Sequence, residues 1–128
     1  MSSTAQFAST PNNGAHAQVS VANTARDGTG TIADVFSPGA SGSRIDDIAL
    51  VATTTTTAGV IRLWIHNGTS WRLWKEILVS AITPSATVQV WSTYLQNLGL
   101  VLKTGWKLGA STHNAETFNV LVTRAGDL

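Results

Sequence analysis

The segment at residues 60–79, VIRLWIHNGTSWRLWKEILV, is the strongest indication of the fold, because its apolar residues alternate along two stretches that flank a turn. It holds three of the five tryptophans of the chain. Aromatic and β-branched side chains favour the pleated, half-buried surface of a sheet. The segment therefore predicts a hairpin in a β-sheet protein.

The turn of this hairpin has two possible lengths. Asn67-Gly68 suits a two-residue turn, but that register mixes apolar and polar side chains on one face. A three-residue loop at 67–69 instead sets Leu63 opposite Leu73 and keeps one apolar face. We predict the longer loop, because burial of one consistent face outweighs the turn preference.

The predicted register also arranges aromatic and cationic side chains on the outer face of the hairpin. It places Trp64 beside Arg72 and Arg62 beside Trp74, at the spacing of cation–π neighbours. An outward tryptophan flanked by arginine is typical of interface anchors. We therefore predict that these four residues belong to an interface.

The rest of the chain predicts a sandwich of antiparallel strands. Short alternating segments recur between turn-forming residues at 17–22, 31–36, 45–53, 87–94, 98–102, 106–111 and 117–123. Eight or nine short strands without a helix indicate an all-β protein, an antiparallel β-sandwich that is jelly-roll-like.

The composition indicates a surface that other subunits cover. Charged residues make up 12% of the 128 residues, and the net charge is +1. Ordinary soluble domains carry about 25% charged residues. A neutral surface resists association poorly. We expect much of this surface to be buried in an assembly, although a threonine-rich protein that is merely soluble enough is the alternative.

The first fourteen residues, MSSTAQFASTPNNG, predict an extended N-terminal arm on a single domain at 15–128. The arm has no charge and no periodicity, and Phe7 is its one large apolar anchor. We expect a neighbouring subunit to hold it, with Phe7 in the interface. The alternative is that the arm folds back on its own domain.

No catalytic pattern stands out, so we do not expect an enzyme or a cofactor. The chain lacks cysteine, and its three histidines are too far apart to share a metal by local spacing. Asp46 and Asp47 are adjacent and would point to opposite faces of a strand. The charge balance predicts neither a nucleic-acid nor a membrane partner, and residues 1–20 do not read as a signal peptide.

The tryptophans allow one binding function. Four of them could form a platform for sugar rings: Trp64, Trp74, Trp91 and Trp106. The first two lie on opposite sides of the hairpin turn, and the other two lie on separate predicted strands. Tryptophans on strands more often serve as core or interface anchors. A core or interface role is therefore favoured over a glycan platform.

The second half of the chain resembles small virion proteins of tailed bacteriophages and prophages. The resemblance lies in LWIHNGTSWRLWKEILVSAITPSATV, in the Gly-Trp strand KTGWKL and in ASTHNAETFNVLVTRAGDL. It implies a β fold and a structural role as a head decoration (cement) protein. The partners implied are the major capsid protein and further copies of the chain, as a dimer or trimer.

The resemblance therefore implies a capsid decoration protein on the surface of a virion assembled in the host cytoplasm. The alternative is a glycan-binding module of a virion spike or fibre. The two differ in what their tryptophans must do, since a glycan platform needs exposed, coplanar rings.

Overall fold

The computed structural model describes residues 10–11 and 15–128, and these form strands, turns and loops without a helix. Within that part of the chain, no helix is long and apolar enough to cross a membrane. The strands are β1 (Thr10–Pro11), β2 (His16–Val19), β3 (Ala33–Phe36), β4 (Ser43–Ala52), β5 (Gly59–His66), β6 (Trp71–Val79), β7 (Ser92–Leu95), β8 (Leu100–Leu102), β9 (Lys107–Thr112) and β10 (Phe118–Asp127).

The first sheet is built around the two longest strands. β4 and β10 pair antiparallel along almost their whole length. β1 and β2 share the free side of β10, and β7 and β8 share the free side of β4. The outer positions are thus filled by short strands, which limits the unpaired backbone that an edge exposes.

The second sheet has the order β3-β9-β5-β6, and its neighbouring strands are also antiparallel. Its inner face packs on the first sheet, so the protein is a β-sandwich, as the sequence predicted. Apolar residues alternate along the strands as expected: Ile48, Leu50 and Ala52 on β4 and three residues of β10 are almost completely buried. The buried core residues of β10 are Phe118, Val120 and Val122.

The hairpin register differs from the prediction. His66 pairs with Trp71 and Trp64 pairs with Leu73, so the connection spans 67–70, one residue longer than predicted. The pairing then shifts between Leu63 and Trp64, where Trp74 is the extra residue on β6. A bulge of this kind reverses the alternation of one strand. The bulge lets Trp74 pack against the core. The predicted register had no bulge and therefore placed Trp74 on the outer face.

The predicted neighbours of Arg62 and Trp64 are therefore wrong. Arg62 pairs with Glu76 rather than lying beside Trp74, and Arg72 pairs with Ile65. Tryptophans contact lysines instead. Lys107 Nζ lies 5.2 Å from the Trp71 ring centroid, and the other two pairs are Lys75 with Trp74 and Lys103 with Trp106.

The predicted strand at 87–94 is also wrong in its bounds. β7 begins only at Ser92, and residues 85–88 form a turn in which Ser85 and Val88 exchange backbone hydrogen bonds. Trp91, just before the strand, packs edge-on against Phe118 with ring centroids 5.8 Å apart. Its role is in the core, where a bulky ring closes one end of the sandwich.

A substitution of Gly109 tests how tightly the outer face of the second sheet is packed. A Cβ atom on this residue would lie 2.6 Å from Trp71 Cη2 and 2.9 Å from the Ala33 carbonyl oxygen. We expect Gly109→Ala to lower the free energy of unfolding by about 1–3 kcal/mol, because neither a packed indole nor a paired backbone yields easily. Urea unfolding measures the change.

A Trp71→Phe background provides the control for Gly109→Ala. The smaller ring removes part of the clash, so the cost of the added methyl group should fall in that background. A Gly109→Ala variant as stable as the unsubstituted protein would contradict the close approach of the indole.

Candidate functional site

The structure places the predicted interface residues in three different settings. Arg62 and Trp64 are fully buried inside the chain. Trp74 is half-buried against the core, and Arg72 is exposed and donates a hydrogen bond to the Trp71 carbonyl oxygen. Phe7 lies outside the described residues. Of the four predicted residues that the structure describes, Arg72 alone is exposed.

The segment at 20–32 explains why the outer face of the second sheet is buried. Asn23 donates its backbone N–H to the Thr112 carbonyl oxygen, and Arg26 Nε lies 2.8 Å from Glu76 Oε2. Gly28 comes so close to the Trp71 carbonyl oxygen that a Cβ atom would lie 2.6 Å from it. The segment therefore crosses β9, β5 and β6.

Asn23 gives this segment its shape. Its side-chain amide donates to the carbonyl oxygens of Thr29 and Thr31, at 3.0 Å each, and its amide oxygen accepts the Ala25 N–H. Gly30 has a positive φ of 80°, and a Cβ atom there would lie 2.6 Å from the Asn23 amide oxygen. One buried asparagine therefore closes the loop on itself and holds it against the sheet.

Beneath the segment, Arg62 is the centre of a polar cluster. Its Nε donates to Glu76 Oε2 at 2.8 Å, and Nη1 donates to the Asn23 carbonyl oxygen at 3.1 Å. Nη2 lies 3.3 Å from His113 Nδ1. Because a guanidinium can only donate, Nδ1 is the acceptor in this contact. The buried charge is thus paired and hydrogen-bonded.

The carboxylate of Glu76 joins two arginines. The same oxygen accepts from Arg26 Nε and Arg62 Nε. The hydrogen bond from Arg26 holds the pKa of Glu76 below its usual value, and that from Arg62 adds to the shift, while partial burial opposes it. Hydrogen bonds to the charged form thus outweigh desolvation at this carboxyl group.

An open groove with a volume of about 580 Å³ borders this cluster. It lies at the open end of the β5–β6 hairpin, away from the turn, where β5 begins and β6 ends. It lies between the segment at 20–32 and the loop that follows β9. Two arginines and a histidine share it with apolar residues of β5 and β6. The lining residues are Arg26, Ala58, Gly59, Val60, Arg62, Leu78, Val79, Ser80 and His113.

The outer face of the first sheet has a different character. Two rows of paired residues run across β2, β10, β4 and β7 there, and none of their eight side chains carries a formal charge. We call this surface the neutral face. Its rows are Gln18, Asn119, Val51 and Ser92, and His16, Leu121, Ala49 and Tyr94.

Charged residues border the neutral face toward one end of the sheet. Arg124 Nε lies 3.2 Å from Asp47 Oδ2, and Arg44 Nε lies 2.9 Å from Asp46 Oδ1. The hydrogen bond from the Asn97 backbone N–H holds the pKa of Asp47 below its usual value. Burial opposes this shift, and Arg124 lowers the pKa further. The ion pairs form a polar edge beside an uncharged surface.

Part of the neutral face could have been predicted from the sequence, although the predicted interface residues do not include it. The alternation at 45–53 already placed Ala49 and Val51 opposite the apolar positions of that strand. Recognising the surface also required the neighbours of that strand, and strands distant in sequence supply them. Among the described residues, no group of three or more histidine and acidic side chains could hold a metal ion.

Comparisons with known proteins identify no relative of this chain. No protein-family model, curated protein or solved structure matches the chain. Its functional interpretation therefore rests on its own surfaces and sequence.

Replacing Glu76 tests whether the Arg62 cluster stabilises the fold. We expect Glu76→Gln to cost about 2 kcal/mol of unfolding free energy, because the variant leaves the buried Arg62 without its carboxylate. Partial exposure of Glu76 keeps the cost below that of a fully buried pair. Asp34→Asn is the matched control: it breaks the exposed pair with Lys107 and should cost less than about 1 kcal/mol. Equal costs in urea unfolding would contradict a special role for Glu76.

The same cluster predicts a pH dependence. The pKa of Glu76 is lower in the folded protein than its ordinary value of 4.5, so the folded state binds fewer protons. Its contribution to stability is therefore complete above pH 4.5 and is lost as the pH falls through the lowered value. We expect the stability difference between the unsubstituted protein and Glu76→Gln to narrow over that range. A difference that stays constant down to the acid transition would contradict this assignment.

Proposed function

We propose that the protein is a head decoration (cement) protein of a tailed bacteriophage, which binds the major capsid protein and copies of itself. The observation that carries the proposal is the neutral face, eight uncharged side chains in register across four strands. In this proposal the protein lies on the capsid surface of a virion assembled in the host cytoplasm.

The neutral face has the composition of an interface centre. The middle of a protein interface is depleted of charge and enriched in tyrosine, and its rim is polar. Tyr94 is 65% exposed, and Leu121 and Val51 supply apolar surface beside it. The ion pairs of Arg124 and Arg44 provide the rim. Ala49 is 3% exposed, so the other seven residues form the centre of such a contact rather than the whole, since about 20–30 residues a side is usual.

The order of the strands supports a jelly-roll scaffold for this function. Strands of the first half of the chain pair with those of the second half in reverse order: β5 with β6, β4 with β7 and β8, β3 with β9, and β2 with β10. A long hairpin rolled into two sheets has this pattern. Jelly rolls are frequent among viral capsid and lectin domains.

Binding to copies of itself follows from the same surface. A face without acidic side chains, lysine or arginine gives little electrostatic repulsion between identical subunits, and each copy would bring the same rows to a two-fold contact. Repetition over a capsid lattice then multiplies a modest affinity by avidity. The assembled layer would resist the pressure of packaged DNA by joining adjacent capsomers.

The glycan-binding alternative has less support. It needs exposed, coplanar tryptophans, and all five tryptophans lie in the described part of the chain. Trp64 is fully buried and Trp91 is 7% exposed. The other three, Trp71, Trp74 and Trp106, are half-buried. We therefore propose the decoration function first.

Charged substitutions on the neutral face test the proposal. We expect Tyr94→Asp and Leu121→Asp to weaken binding to empty phage heads by at least about tenfold, because a contact would bury an unpaired carboxylate. Val21→Asp is the control, since Val21 is 56% exposed and lies outside the neutral face. Co-sedimentation gives the occupancy, and the melting temperature of the heads reports their stabilisation.

Two outcomes would overturn this assignment. One is that the unsubstituted protein neither binds heads nor raises their melting temperature. The other is that Tyr94→Asp and Val21→Asp bind equally well. Thermal unfolding of each free variant separates a loss of binding from a loss of folding.

A further inference from the structure

The outer face of the second sheet ends in an apolar corner at the open end of the β5–β6 hairpin. Val60 and Leu78 pair there, two residues beyond the pair of Arg62 with Glu76 and therefore on the same face. Leu78 is 81% exposed, the largest value among the exposed large apolar residues of the described chain. Val60, Leu78 and Ala58 line the groove of about 580 Å³. The described residues thus leave an apolar surface uncovered at this corner.

The backbone at the same corner also faces outward. β6 is the last strand of the second sheet among the described residues. The Val60 carbonyl oxygen accepts the His113 N–H, so the peptide groups of Val60 point away from β6. Because the hydrogen-bonding direction alternates along an antiparallel pair, the N–H and C=O groups of Leu78, opposite Val60, point away from β5. An extended segment can therefore pair with this edge while one of its side chains fills the groove.

We propose that residues 1–9 of a second copy of the chain dock along this edge, with Phe7 in the groove. These residues, MSSTAQFAS, lie outside the described part of the chain and contain no charged side chain. Phe7 is their one aromatic residue, and a phenyl ring gains from contact with the apolar side chains of Leu78 and Val60. The uncharged backbone of the segment is free to pair with the Leu78 peptide groups.

The length of the chain excludes the groove of the same copy. Thr10 pairs with Asp127, at the end of β10. The groove lies near the start of β10, where the Asn114 side chain donates to the carbonyl oxygen of Ala58. The ten residues of β10 separate these two ends by roughly 30 Å. Phe7 is three residues before Thr10, so an extended chain places it at most about 11 Å away. It therefore reaches a groove only on another copy.

A contact of this kind joins two different surfaces, the first residues of one copy and the β6 edge of the next. Such head-to-tail contacts close into a ring or continue as an open array, unlike a two-fold contact. The groove lies on the second sheet and the neutral face on the first. The proposal is therefore independent of the neutral face and of the proposed decoration function.

A synthetic peptide, MSSTAQFAS, tests the location of the contact. We expect it to shift the NMR signals of the Leu78 methyl groups in the full-length Phe7→Ser variant, whose own first residues lack the aromatic ring. The same peptide with Phe7→Ser should bind about tenfold more weakly or worse, because it loses most of the apolar contact. Val101, 57% exposed on the first sheet, is the control position, and its methyl signals should not shift.

Mixing two full-length variants tests whether the contact joins two copies. Both carry Tyr94→Asp, so that the neutral face does not contribute. Phe7→Ser keeps the groove, and Leu78→Ser keeps the docking side chain. Each alone should associate about tenfold more weakly than the Tyr94→Asp protein. The mixture should form one-to-one complexes in sedimentation velocity, because one variant supplies Phe7 and the other an intact groove. Val101→Ser should associate like the Tyr94→Asp protein.

Three results would overturn the proposal. They are no saturable shift of the Leu78 methyl signals at millimolar peptide, equal binding of the two peptides, or a mixture that associates no better than its separate components. None of them bears on head binding through Tyr94 and Leu121. Failure of this proposal is therefore distinguishable from failure of the decoration function.

Discussion

The buried guanidinium of Arg62 constrains the outer side of the second sheet, because it needs partners from three separate parts of the chain. A buried charge is tolerated only when it is paired and hydrogen-bonded, so Glu76, Asn23 and His113 must all lie close to it. Asn23 in turn holds the segment at 20–32, which covers the outer face of the second sheet.

This arrangement gives the two sheets different surfaces. The outer face of the second sheet is occupied by the chain's own loop and by the indole of Trp71, which lies over Gly109. The outer face of the first sheet keeps eight uncharged side chains in two rows. A partner that buries a neutral surface would therefore contact the first sheet rather than the second.

The structure shows how the few charged residues of the chain are arranged. The few charged residues are concentrated in pairs, such as Arg124 with Asp47 and Lys107 with Asp34, rather than spread over the surface. Pairing leaves whole stretches of sheet without charge. Such a surface is suited to association through shape and apolar contact, where electrostatics contribute little attraction or repulsion.

The sequence by itself determined the β-sandwich, because alternation at positions such as Ile48, Leu50 and Ala52 needs no partner strand to be recognised. It predicted the hairpin as well, but not its register, since the bulge at Trp74 depends on how the core accepts an extra indole. It placed Arg62 and Trp64 at an interface, whereas in the tertiary structure both are buried inside the chain, and Asn23, 39 residues earlier, binds Arg62. The neutral face likewise needed strands distant in sequence to lie side by side. Local patterns report the periodicity of each strand, and the fold alone decides which strands are neighbours and which face is covered.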